Sequence, residues 1–230
     1  MIHGFNKTTL LDYPGHLAAT IFLGGCNFRC PFCHNASLVL APNSQPIISK
    51  EEVLSTLRKR IGILEGVCIT GGEPSLYPGL IDLTKEIKDL GFLVKLDTNG
   101  TNPNTIKYLL ESNLIDYIAM DIKNCKEKYS LSSGIKNTVI DKISESISLL
   151  INSNIDYEFR TTVVKNLHDA SDFIKIGEWI EGANAYFLQA YRDSEDIIKK
   201  GLSGHSLDEL KEFKEIVSPY VKEVSIRKIE

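Results

Sequence analysis
GGCNFRCPFCHN, residues 24–35, places Cys26, Cys30 and Cys33 within eight positions of a chain that has five cysteines in all. Each iron of a cubane iron–sulfur cluster takes one external ligand, usually a cysteine thiolate. Three cysteines in one loop would hold three irons and leave the fourth open to a small molecule, much as a catalytic zinc keeps an open position. Blander readings use the same residues. Cys33 and His34 could complete a Cys₃His zinc site, although sequence neighbours rarely point at one metal. The thiols could also be unliganded or form a redox pair. Cys68 and Cys125 stand in or beside strand-like runs, where cysteine behaves as a small hydrophobe.

The rest of the chain narrows these choices. Its 230 residues are 43% apolar and carry a formal charge of −4, which suits a soluble α/β domain and gives no footprint for nucleic acid or a membrane surface. No apolar run approaches the roughly 20 residues needed to span a bilayer. MIHGFNKTTLLDYPG lacks the basic start and apolar stretch of a secretory signal. A cytoplasmic location is expected, where thiols stay reduced and clustered cysteines suggest a metal or catalysis rather than disulfides.

Outward from the loop, strands alternate with helices. HLAATIFLGG (16–25) reads as a strand, followed by a helix at SKEEVLSTLRKRIG, where Ser49 and Glu52 stand in capping-box relation. Val53, Leu54, Leu57 and Ile61 would form its apolar face. GVCITGGEPS is a strand entering a glycine turn, and PGLIDLTKEIKDLG a helix that Gly91 could end. FLVKLDTNG, IDYIAMDIKN, IDYEFRTTVV and NAYFLQAY are further strands. Helices lie between them: one from Pro103 to about residue 113, then NTVIDKISESISLLINSN and DASDFIKIGEWIEG. A last helix follows Ser206 and Glu209, and YVKEVSIRKI is a candidate final strand. Six βα units predict a parallel sheet, either a partial barrel or an open doubly wound sheet. In both, chemistry belongs at the carboxyl ends of the strands. The unusual residues fall there: the cysteines, GGEP (71–74), DTNG (97–100), DIK (121–123), Arg160 and Gln189. With no repeat, low-complexity tract or linker, a single domain spanning 1–230 is expected.

CxxxCxxC with Phe32 before its last cysteine, followed by GGEP, resembles the radical S-adenosylmethionine (SAM) superfamily. The resemblance covers nearly the whole chain and implies a partial (β/α)₆ TIM-like barrel holding one 4Fe–4S cluster. DYPG (12–15), CHN (33–35), LDTNG (96–100), MDIK (120–123) and FRTTVV (159–164) further resemble the glycyl-radical enzyme activating enzymes. Those serving anaerobic ribonucleoside-triphosphate reductase are the most similar, and those serving pyruvate formate-lyase are near relatives. Residues 34–67 contain no cysteine, so no additional cluster is expected there.

The resemblance implies that the open iron chelates the amino and carboxylate groups of SAM. Reductive cleavage then yields a 5′-deoxyadenosyl radical that abstracts hydrogen from a glycine Cα in the C-terminal loop of a partner enzyme. By the same resemblance Gly71, Gly72 and Glu73 cradle the methionine amino group, Asp97 also contacts it, and Lys123 faces the carboxylate. Asp121 and Arg160 match positions near the ribose and carboxylate, although a strand arginine is also commonly a structural ion-pair partner. Main chain at Phe32, Cys33 and His34 reads adenine, with His34 a packing residue, and Leu188 offers only backbone near the ribose. A monovalent cation beside SAM is implied at Asp97, Thr98, the Ala119 carbonyl and Asp121. A low-potential donor such as flavodoxin or ferredoxin supplies the electron. DYPGH (12–16) is a candidate lining for the mouth that admits the partner loop, although an ordinary proline–glycine turn explains it equally well. The core motifs would also suit a radical SAM enzyme acting on a small molecule.

Overall fold
The computed structural model describes residues 1–137 and 139–228. Eight strands form one sheet in chain order. They are β1 (Ile2–Thr9), β2 (Ala18–Leu23), β3 (Gly66–Gly71), β4 (Leu93–Thr98), β5 (Tyr117–Asp121), β6 (Asp156–Val163), β7 (Ala185–Ala190) and β8 (Glu223–Lys228). β1 runs antiparallel to β2, and every later neighbour pair is parallel. No β8–β1 pairing occurs among the described residues, so the sheet is a partial barrel.

Helices α1 (Ala36–Leu40) and α2 (Lys50–Arg58) follow β2. α3 (Leu80–Asp89) and α4 (Pro103–Glu111) follow β3 and β4, and α5 (Tyr129–Ser133) and α6 (Ile140–Ile151) follow β5. α7 (Ala170–Trp179) joins β6 to β7, and α8 (Leu207–Val217) joins β7 to β8. Parallel neighbours need such crossovers, and packing helices on one face makes that face apolar. Ile21, Ile69, Val94, Leu96, Ile118, Phe159 and Leu188 accordingly sit in the buried core. The alternate positions are polar: Thr70, Asp97, Asp121, Arg160 and Thr162 line a cavity on the inner face. Period-two alternation thus separates core from site within each strand.

Local signals explain several element boundaries. Ser206 and Glu209 form a reciprocal capping box at α8 (3.2 and 2.7 Å). Asp169 and Asp172, both unnoticed in the sequence, do the same at α7. Gly91 ends α3 in the left-handed region. Two expectations change. α2 stops at Arg58, leaving Ile61 exposed rather than on the apolar face with buried Val53, Leu54 and Leu57. β1, unexpected from its polar IHGFNKTT, is an edge strand whose pairing with β2 shifts register twice.

Of the two readings of DYPGH (12–16), the turn holds and the lining of the mouth does not. Thr9 pairs with Ala18, so the β1–β2 turn lies at the end where the parallel strands begin. There Tyr13 is buried, packs on His16 and Tyr117, and lies where a Cβ on Gly66 would meet it at 2.9 Å. It closes the base of the barrel and does not line the cavity.

Candidate active site
At the opposite end, the exits of β2 and β3 are locked together through main chain. Gly72 N–H donates to Leu23 O and Glu73 N–H to Gly25 O, each at 2.8 Å. A Cβ on Gly72 would lie 2.0 Å from Gly25 O, and one on Gly71 (φ +117°) 2.3 Å from Leu23 O. Only glycine fits both positions. The two glycines therefore let the turn after β3 nest against the start of the cysteine loop.

The Glu73 carboxylate, 2% exposed, is turned into the protein. It accepts from Thr98 Oγ1 (2.7 Å), Asn99 N–H (2.6 Å) and Ser75 N–H (3.0 Å), tying the β3 exit to the β4 exit. Burial pushes its pKa up, against the pull of these donors. Asn99 continues the lock: its amide donates to Asn27 Oδ1 at 2.8 Å and lies 3.9 Å from Cys26 Sγ.

Cys26, Cys30 and Cys33 all line the cavity, together with Phe32, His34, Gly71, Gly72, Glu73, Asp97, Thr98, Asp121, Lys123 and Arg160. Burial raises the thiols, Cys26 to about 11 and Cys30 to about 12, with Cys33 also raised. Lys123 opposes the rise at all three. Metal ligation must therefore drive off their protons. The His34 ring points elsewhere: Nε2 is 2.8 Å from Arg192 O, and the ring stacks on Tyr191.

Above the core lies an ionic chain drawn from three strands. Lys123 donates to Asp121 Oδ2 (2.8 Å), and Arg160 Nε to Asp121 Oδ1 (2.6 Å). The Arg160 fork reaches Asp97 Oδ2 at 3.1 Å, and Thr70 Oγ1 donates to the same oxygen at 3.0 Å. Lys95 completes the chain on Asp97 Oδ1. Burial alone would raise both carboxylates, but Arg160 with Lys123 at Asp121, and Arg160 with Lys95 at Asp97, hold them below the usual range. Lys123 keeps its charge because Asp121 outweighs burial, and its Nζ lies 5.9 Å from the Phe32 ring centre.

Known proteins place this arrangement. The pattern of the Radical SAM superfamily matches residues 20–180. A Methanocaldococcus jannaschii protein that carries the name of a glycyl-radical enzyme activating enzyme is 32% identical over 100% of this chain and 96% of its own. The chain belongs to the radical SAM superfamily, among the glycyl-radical enzyme activating enzymes. The pyruvate formate-lyase-activating enzyme of Clostridium pasteurianum is 27% identical over 76% of this activating enzyme and 73% of its own length. In fold, Streptococcus suis SuiB bound to S-adenosylmethionine superposes with a TM-score of 0.69 at 15% identity, covering 92% of this chain and 52% of SuiB. The protein anSMEcpe with bound AdoMet gives 0.60 at 18% identity, over 89% and 62%. The family implies a 4Fe–4S cluster and SAM as cofactors.

Two expected residues of the activating enzyme stand off the cavity wall. Leu188 is fully buried beside Thr161 on the helix-packed face, and Ala119 is fully buried in mid-sheet between β4 and β6. Conversely, Phe28, Asn35, Val39, Thr70, Asn99 and Thr162 line the cavity although sequence reasoning assigns none of them a role of its own. Asn35 donates to Gly71 O at 2.8 Å, which explains the asparagine of CHN. Among the described residues no helix is long and apolar enough to cross a membrane.

Proposed function
We propose that this enzyme installs a glycyl radical on anaerobic ribonucleoside-triphosphate reductase, using one 4Fe–4S cluster and SAM in the cavity described. One observation carries the cofactor chemistry: three cysteines share a cavity with the glycine turn after β3 and with the Asp97–Arg160–Asp121–Lys123 chain. The choice of reductase rests on the resemblance of DYPG, CHN, LDTNG, MDIK and FRTTVV. The donor set suits an open-cornered cluster. Its three thiols come from one loop, and the His34 ring that would seal a zinc site is bonded to Arg192 O instead. Among the described residues no group of His, Cys, Asp or Glu is gathered for a single metal ion.

Each side chain then has a definable task. Cys26, Cys30 and Cys33 hold three irons, with Phe28 N–H donating to Cys26 Sγ at 3.3 Å and steadying negative charge on that sulfur. Lys123, of whose three donors one goes to Asp121, presents a fixed positive charge to the SAM carboxylate. Arg160 and Asp121 hold that lysine in place and border the ribose. Main-chain carbonyls of the Gly71–Gly72 turn and the acceptor capacity left on Asp97 suit the amino group, since the Glu73 oxygens are engaged within the protein. Main chain at Phe32–His34 borders adenine, and Leu188 contributes through backbone alone. The cofactors supply reductive scission of a sulfonium C–S bond and hydrogen abstraction from glycine, with flavodoxin or ferredoxin as the electron source. Burying the charged groups keeps water away from that chemistry.

The test mixes the anaerobically reconstituted protein with SAM, a reductant and the co-encoded reductase, and records the electron spin resonance spectrum. A glycine-centred doublet on the reductase is expected. A doublet on pyruvate formate-lyase alone would move the proposal to that partner. SAM cleavage without a radical on any co-encoded glycyl-radical enzyme would overturn the activase assignment in favour of a small-molecule substrate.

A further inference from the structure
Lys95 lies in mid-strand between fully buried Val94 and Leu96, and its side chain is only 3% exposed. Its ammonium pairs with Asp97 Oδ1, lies 3.7 Å from Cys68 Sγ and sits 5.9 Å from the Tyr117 ring centre. Lys95 does not line the cavity, whereas Asp97 does. The lysine therefore backs the carboxylate from beneath, while Thr70 and Arg160 hold the other oxygen. Burying an ammonium is costly unless it is paired, and here the pairing is to a residue of the cavity wall.

An alkali cation at Asp97, Thr98, Ala119 and Asp121 does not fit this arrangement. A hard monovalent ion needs several oxygen ligands. Asp97 and Asp121 already face Lys95, Lys123 and Arg160, three positive charges for two negative ones. Thr98 Oγ1 donates to Glu73 and its oxygen already accepts from Gly100 N–H at 3.2 Å, and Ala119 is off the cavity wall. Another cation would enter a cluster that already carries excess positive charge.

We propose that Lys95 is a tethered replacement for that ion: its ammonium supplies the positive charge behind Asp97, so the protein binds SAM without an alkali cation. The proposal rests on the assignment of the cavity to SAM. Lys95 is then a positioning residue. It acts through Asp97, and through Asp97 on the orientation of Arg160. Ammonium and potassium ions are alike in size and charge, so exchanging one for the other during divergence needs only one substitution.

The experiment measures SAM binding by anaerobic calorimetry to the reconstituted protein in potassium, sodium and choline chloride at equal ionic strength. Melting of the nucleotide-free protein in the same salts is the second readout. Wild-type affinity is expected to agree within about twofold across the salts, with a melting temperature indifferent to the cation. Lys95→Ala should lose about tenfold or more in choline, and recover most of it in potassium or with added propylammonium. Lys95→Met, which fills the space without charge, should lose affinity and not recover. A wild type that gains about tenfold from potassium or sodium, or variants that bind as wild type in choline, would overturn the proposal. If wild type binds no SAM in any salt, the functional assignment fails instead. Melting then decides on Lys95: selective stabilisation of Lys95→Ala by potassium supports its role, and selective stabilisation of wild type overturns it. If Lys95→Ala does not fold, the wild-type salt series and Lys95→Met still decide.

Discussion

Two charged groups occupy the inner face of the same sheet. The upper one joins Asp97, Arg160, Asp121 and Lys123 at the cavity wall to Lys95 beneath it. The lower one joins Glu158, Arg227 and Tyr117: Arg227 clasps both Glu158 oxygens at 2.8 and 3.0 Å, and Tyr117 donates at 2.8 Å. Glu158 is fully buried, and none of the three lines the cavity. The lower carboxylate thus has its partners inside the fold. In the upper group Asp97, Asp121, Lys123 and Arg160 face the cavity and retain donors and acceptors for a ligand. Similar ion pairs on one face of one sheet divide into scaffold and, in the function proposed, binding site according to whether they meet a cavity.

The largest effect that could break this contrast is at the cysteine loop. Cys30→Ala should abolish iron binding and SAM cleavage together, as read by iron content and product analysis. Retained activity would refute the ligand assignment and leave the upper group without a cofactor to serve.

The next tests set the two groups against each other. Lys123→Met should weaken SAM binding by about ten- to hundredfold with little change in melting. Glu158→Ala should cost about 3 kcal/mol of stability by stranding Arg227 and Tyr117, somewhat less because Arg227 is about a third exposed, while SAM affinity holds. Calorimetry and denaturant unfolding separate these outcomes, and an exchange of effects would erase the distinction. Cys68→Ala, at the junction of the two groups, should leave iron content intact and cost about 1 kcal/mol through lost packing. Loss of iron in proportion would make Cys68 a ligand after all.

The smallest effect lies outside both groups and calibrates them. The Ser206 amide and hydroxyl, then His205, pull Glu209 down to about 2. Its contribution to stability is therefore present above the ordinary carboxylate range and lost as pH falls toward about 2. The difference in melting between wild type and Glu209→Gln should be widest near neutrality and shrink on acidification. A difference that does not narrow would assign the cap another origin.

The sequence made the parallel sheet legible because its strands are apolar at alternate positions and its crossovers carry caps and helical periodicity. It made the cysteine loop, GGE turn, DTNG and DIK legible because chemistry collects at strand ends. β1 was hidden because an edge strand with irregular register keeps polar residues. Lys95 was hidden because one lysine in FLVKLD reads as a solvent-facing position; only the inner face of a barrel makes it a buried charge. The glycines of GGE were legible as a turn, and by resemblance as a cradle for an amino group, but the group that presses on them is the backbone of Leu23 and Gly25. DYPGH was left between two readings because a turn motif carries no information about which end of the sheet it caps.

Tyr13 beneath the strands makes the barrel a cup with a sealed floor. A glycine delivered to the cavity must arrive and retreat by the same rim or through the gap beside β8. Whatever covers that rim and that gap governs admission, turnover and escape together, so a partner surface must span both to keep the interior shut during reaction.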